Sequence, residues 1–176
     1  MFYLMILAVA ASRFLPHPPN VACVAALGLF AGSYMSGRRA YLVPIGVMAL
    51  SDIMGQMLGI PGLGFYNLAA MAMVYLGMAA SVPIGRMLRN AGGTSRLWKV
   101  PAASVAASTV FFVVSNFGTI LAGWYPMSVA GFTACYINAI PFYGFTVAGD
   151  LCFSAVIFSA YALSQSRFRL PVLAKA

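Results

Sequence analysis

The chain alternates long apolar runs with short polar or proline-rich breaks. The apolar runs fall at about residues 1–14, 21–36, 40–58, 67–88, 98–122 and 145–164. A membrane-crossing helix needs about 20 predominantly apolar residues, and most of these runs meet or approach that length. The pattern predicts an all-α membrane protein: six transmembrane helices in a single domain over residues 1–176. The first run reaches only about 21 Å at ~1.5 Å per residue, against a hydrocarbon core of ~30 Å. Arg13 and the prolines at 16, 18 and 19 are therefore expected at interface depth or dipping inward. The stretch between Pro126 and Pro141 is apolar but bounded by prolines and aromatic residues. It is short for a span and is expected to form a re-entrant or interfacial helix between the fifth and sixth spans. The second run carries Ala22-x-x-x-Ala26 and Gly28-x-x-x-Gly32, small residues one turn apart that permit close helix packing.

Composition supports a lipid solvent. The chain is 62% hydrophobic and 7% charged, with a mean hydropathy of +0.93, whereas soluble domains carry about 25% charged residues. The net charge of +8 does not indicate nucleic acid, because the basic residues sit in the gaps between apolar runs, as orientation signals do. With six spans, Arg38, Arg39, Arg86, Arg89, Arg96, Lys99, Arg167, Arg169 and Lys175 share one side and Arg13 alone lies on the other. The positive-inside rule then puts both termini in the cytoplasm. A seventh full span would move three of those charges across, which fits less well. The opening MFYLMILAVAAS contains Ala8-Val9-Ala10 but no basic region before its apolar run. It is read as a first membrane helix rather than a signal peptide.

Candidate chemistry is sparse. There is no G-x-S-x-G, H-E-x-x-H or Walker sequence, so the expectation is a protein that is not an enzyme. Cys23, Cys135 and Cys152 lie in apolar runs without metal-ligand spacing, and neither a metal nor a cofactor is expected. The two acidic residues, Asp52 and Asp150, fall in the outer half of their predicted spans, on the side of Arg13, His17 and Asn20. Asn67, Asn116 and Asn138 fall near the same depth. Polar groups at membrane depth face a bundle interior, pair with one another or bind something. The expected ligand-binding set is Arg13, His17, Asn20, Asp52, Asn116, Asn138 and Asp150, with Arg13 available to a ligand carboxylate. Three readings of the charged members stay open: a structural clamp, a ligand site and a proton relay. The aromatic residues Trp124, Tyr125, Phe132, Tyr136, Phe142, Tyr143 and Phe145 read as an interfacial belt, some of whose members are candidates to line a pocket. The three outer connections carry almost no charge and are expected to pack together as a lid or pocket wall.

The blocks SRFLPHPPN, ALGLFAG, VPIGVMALSD, SNFGT with WYP, CYINAIPF and GDL, in that order over about residues 8–160, resemble a bacterial family of small membrane proteins labelled as transport proteins. The layout is also similar to the S components of energy-coupling factor transporters, six-helix proteins that bind a vitamin or metal on the outer side. The resemblance implies a multi-pass protein of the bacterial cytoplasmic membrane that captures a small polar molecule. Its implied partners are membrane lipids, a transmembrane scaffold and ATPases. S components often meet their scaffold through an A-x-x-x-A-like surface on the first helix. This chain offers Ala8-x-x-x-Ser12 there, a looser pair. The alternative is a non-catalytic accessory subunit of a larger membrane complex, in which Arg13, Asp52 and Asp150 are internal clamps.

Overall fold

The computed structural model describes residues 2–15, 21, 23–61, 63–91 and 94–168. Among these the chain is all helical: α1 (Phe2–Ala11), a single 3-10 turn (Ser12–Phe14), α2 (Val24–Tyr34), α3 (Arg39–Leu58), α4 (Leu68–Ala79), α5 (Ser81–Arg86), α6 (Thr94–Leu121) and α7 (Val129–Phe168). Four segments are long and apolar enough to cross a membrane: Arg39–Leu58, Leu68–Arg86, Thr94–Leu121 and Val129–Gln165. Their surfaces agree with that solvent. Leu42, Leu50, Met57, Leu68 and Leu163 point outward, while Ser81, Ser104, Ser108, Asp52 and Asp150 are buried. Apolar side chains outside and polar ones inside is the distribution expected where the surroundings are lipid.

The centre of the bundle is α2. Every residue from Val24 to Ser33 is buried, and the helix packs against α5, α3 and α7, with α6, α4 and α1 completing the cover. Its closest neighbour is α5. A Cβ on Gly28 would overlap the Ser81 hydroxyl, one on Gly32 would overlap the Val82 carbonyl, and one on Gly85 would overlap the Leu29 carbonyl. The two backbones therefore touch through reciprocal glycines, and the Gly28-x-x-x-Gly32 face meets α5. The buried C-terminal end of α2 needs partners for its free carbonyls. Arg89 supplies them, donating from Nε to Gly32 O at 2.9 Å and from Nη2 to Met35 O. Its charge also suits the negative end of the helix dipole. Ser33 donates to both Leu29 O and Gly85 O, tying the two helices together. Phe30, Tyr34, Phe158 and Tyr161 form an aromatic knot joining α2 to α7, with ring centroids of Phe30 and Phe158 5.4 Å apart. The Arg96 guanidinium lies 4.9 Å over the Tyr34 ring.

Several expected boundaries are corrected. The stretch from Pro126 to Pro141 is not a separate re-entrant or interfacial helix, because α7 runs unbroken from Val129 through Pro141 to Phe168. Its N-terminal half lies along α6, with Phe112 against Tyr136 and Tyr143, and Phe117 against Phe132. A proline costs a helix one hydrogen bond and a ring clash. In apolar surroundings, however, leaving the helix would free more backbone groups than the proline does. The expected span at 145–164 is thus the C-terminal part of this longer helix. The expected span at 67–88 corresponds to the single segment Leu68–Arg86, within which α4 passes into α5 at Ala80. Pro83 lacks the N–H that would bond the Ala79 carbonyl, and the break falls there. The expected 21–36 helix contracts to Val24–Tyr34, about 16 Å long at ~1.5 Å per residue.

Gly32→Ala is expected to destabilise the protein by about 1–3 kcal/mol, because the new methyl enters a backbone contact. Gly46→Ala, where a Cβ would meet nothing within 4 Å, is expected to be neutral or slightly stabilising. Thermal unfolding in detergent compares the two. Equal midpoints for both variants would contradict the α2–α5 contact.

Candidate functional site

Three elements bring Arg13, Asp52 and Asp150 to one cavity of about 220 Å³. Arg13 sits in the 3-10 turn after α1, which Ser12 stabilises by donating to Val9 O at 2.6 Å. Its guanidinium reaches α3, where Nη2 lies 3.5 Å from Asp52 Oδ1 and Nη1 donates to Ser51 Oγ at 2.6 Å and Met48 Sδ at 2.9 Å. Tyr75 on α4 donates its hydroxyl to Asp52 Oδ2 at 2.8 Å. Asp52 therefore has a cation beside one oxygen and a hydroxyl donor on the other, and Arg13 is held by three groups of α3.

Asp150 stands near the midpoint of α7 and is 2% exposed. Thr146, Asp150 and Ser154 are spaced one turn apart and all are buried, so α7 presents a polar stripe inward. On α6, Ser104 and Ser108 match that spacing. Ser108 Oγ donates to Asp150 Oδ2 at 2.6 Å, and Ser104 Oγ lies 3.3 Å from Ser154 Oγ. Among the described residues no Lys, Arg or His nitrogen lies within ion-pair distance of Asp150. The N-terminal end of α2 is close by, since Val21 lines the same cavity as Arg13 and Asp150.

A second chamber of about 190 Å³ adjoins the first, and Tyr66, Val74, Phe111 and Thr146 line both. Its own walls include Phe112, Phe142, Tyr143 and Trp124. The connection after α3 is folded to supply Tyr66. Gly59 takes the left-handed conformation with φ 64° and ends α3, Gln56 Oε1 accepts from Phe65 N at 3.1 Å, and Asn67 caps α4 by accepting from Ala70 N. The Tyr66 and Trp124 rings meet at 6.1 Å, so the connection before α4 touches the one after α6. Both rings are more than half exposed and form the rim of the aromatic chamber.

The expected site residues divide as follows. Arg13, Asp52 and Asp150 line the first chamber, and Asn116 lines the second while donating its Nδ2 to Phe112 O at 2.8 Å. Asn138 lines neither chamber. It is exposed, and its Nδ2 lies 3.3 Å from the Tyr125 hydroxyl. Its register on the unbroken α7 turns it away from both, as Ala139 lines the second chamber instead. His17 and Asn20 lie outside the described residues. Ser51, Tyr75, Ser108 and Thr146 were missed as site residues. The one-turn spacings Ser104/Ser108 and Thr146/Asp150/Ser154 could have found two of them. Among the described residues, no group of three or more His, Cys, Asp or Glu side chains comes together as metal ligands.

These features define an all-helical protein of membrane type with a charged cavity beside an aromatic one. The chain belongs to the Family of unknown function (DUF6580), whose model matches residues 1–173. Comparison with curated proteins gives no match, and comparison with solved structures gives none.

Arg13→Ala leaves the Asp52 charge buried without its cation, a change that costs about 3–5 kcal/mol in comparable pairs. Adding Asp52→Asn should recover part of that loss, with a coupling between the two sites of about 0.5–3 kcal/mol. A double-mutant cycle on unfolding in detergent checks this. Strict additivity would show that the two side chains do not act as a pair.

Proposed function

We propose that this protein is an integral membrane solute-binding subunit that captures a small polar molecule from the outer side of the bacterial cytoplasmic membrane. One observation carries the reading: the chain's two acidic residues and Arg13 line a single cavity. Arg13 and Asp52 share that space as an ion pair, whereas Asp150 reaches it with no cation beside it among the described residues. Small-molecule sites occupy about 300–1,000 Å³ and combine apolar walls with a few convergent polar groups. The first chamber alone, at about 220 Å³, falls short of that range, and the two adjoining chambers together reach it.

In this reading the chain crosses the membrane six times, with α1 and the short α2 as two of the crossings and both termini in the cytoplasm. The arrangement of basic residues supports it. Arg86 donates to Gly37 O, Arg89 to Gly32 O and Met35 O, and Arg96 covers Tyr34. The basic residues thus gather at the C-terminal end of α2, while Arg13 and Asp150 share a cavity with Val21 at its N-terminal side. The partners of the capture reading, a transmembrane scaffold and ATPases, are those implied by the resemblance drawn from the sequence. A second reading, the accessory subunit of a larger membrane complex, draws on the engagement of Arg13 by Met48, Ser51 and Asp52, which suits an internal brace.

Purification from the native host in mild detergent, with mass spectrometry of co-purifying proteins and small molecules, separates the two. Capture predicts a retained small molecule whose occupancy falls at least tenfold in Asp150→Asn at normal expression. A stable large complex with no retained molecule would establish the accessory reading instead.

A further inference from the structure

Deepening the capture reading and resting on it, we infer that the solute is a small organic cation. Its protonated nitrogen meets Asp150 in the first chamber, and its aromatic or apolar body lies in the second. The charge arrangement gives the sign. Arg13 is already neutralised by Asp52 at 3.5 Å and held by Ser51 and Met48, and the remaining Asp52 oxygen accepts from Tyr75. That pair closes on itself and offers an incoming anion little. Asp150 differs. It lines the same cavity, is 2% exposed, and receives the Ser108 hydroxyl with no cation beside it among the described residues. A buried carboxylate costs least when a counter-charge and further donors complete its shell. A ligand ammonium or protonated heterocycle supplies both. An anion brought to the same space would face that carboxylate.

The walls point to the same class. Between Asp150 and the rim, the ligand passes Phe111 and then Phe112, Tyr143 and Trp124. Aromatic faces attract cations within about 6 Å of the ring centre and stack on flat ring bodies. Met71 and Met78 line the first chamber and add polarisable sulfur that adapts to ring edges. Thr146 borders both chambers one turn from Asp150, at the junction between the nitrogen end and the ring end.

The test uses the full chain purified in detergent and three probes that share one ring and differ in charge: tryptamine, indole-3-ethanol and indole-3-acetate. Binding is followed by titration calorimetry. Tryptamine is expected to bind at least tenfold more tightly than the other two, and Asp150→Asn is expected to remove that preference. The ranking in the unmodified protein stands by itself if Asp150→Asn fails to fold. Tightest binding by indole-3-acetate overturns the cation assignment while leaving capture intact. Equal or absent binding of all three also overturns the assignment. Capture is judged separately by whether a molecule is retained from the host. Tryptamine preference that persists in a folded Asp150→Asn variant overturns the role of Asp150.

Discussion

The contact between α2 and α5 is the constraint on which the rest depends. A helix of eleven residues buried over nearly its whole length can be surrounded only if its neighbours come close, and only if its end groups find partners. Reciprocal glycines provide the approach, since Gly28 and Gly32 sit against Ser81 and Val82, and Gly85 sits against Leu29. In lipid there is no hydrophobic drive between helices, so close packing and interhelical hydrogen bonds hold them together. Ser33 and Arg89 provide those bonds at the C-terminal end. The charged cavity lies off the N-terminal end of α2, where Val21 lines it together with side chains of α3, α4, α6 and α7.

That cavity holds two electrostatic solutions side by side. Arg13 and Asp52 satisfy each other with help from Ser51 and Tyr75, forming a neutral wall. Asp150 is buried against a serine ladder on α6 and faces the open volume. The first arrangement reads as construction and the second as reception. The aromatic chamber extends the volume toward Tyr66 and Trp124, where the connections before α4 and after α6 meet. Stability in the proposed capture subunit thus rests on one carboxylate and recognition on the other.

Much of this was legible in the sequence for physical reasons. Long apolar runs with basic gaps define the helices, because lipid leaves few other ways to satisfy a backbone. Polar residues rare enough to stand out, Arg13, Asp52 and Asp150, could be placed at similar depth by counting along the spans. A proline misled the reading at the start of α7. Pro141 was taken as a boundary and lies inside α7. Whether a proline ends a helix depends on what packs beside it, and that is a tertiary matter. Asn138 illustrates a related limit. Its depth could be estimated from the sequence, but the direction it faces depends on the phase of a helix whose start was misplaced. Tyr75 and Ser108 are ordinary residues in apolar helices until the neighbouring carboxylates are positioned beside them.

The most direct measurement is the accessibility of the cavity from the outer side of the membrane. In a variant without the three native cysteines, Thr146→Cys places a thiol at the junction of the two chambers. A small membrane-impermeant thiol reagent is then added to the outside of sealed spheroplasts. The account predicts modification from that side, slowed when the cavity is filled. A thiol that reacts only after the cytoplasmic face is opened, or not at all, would contradict it.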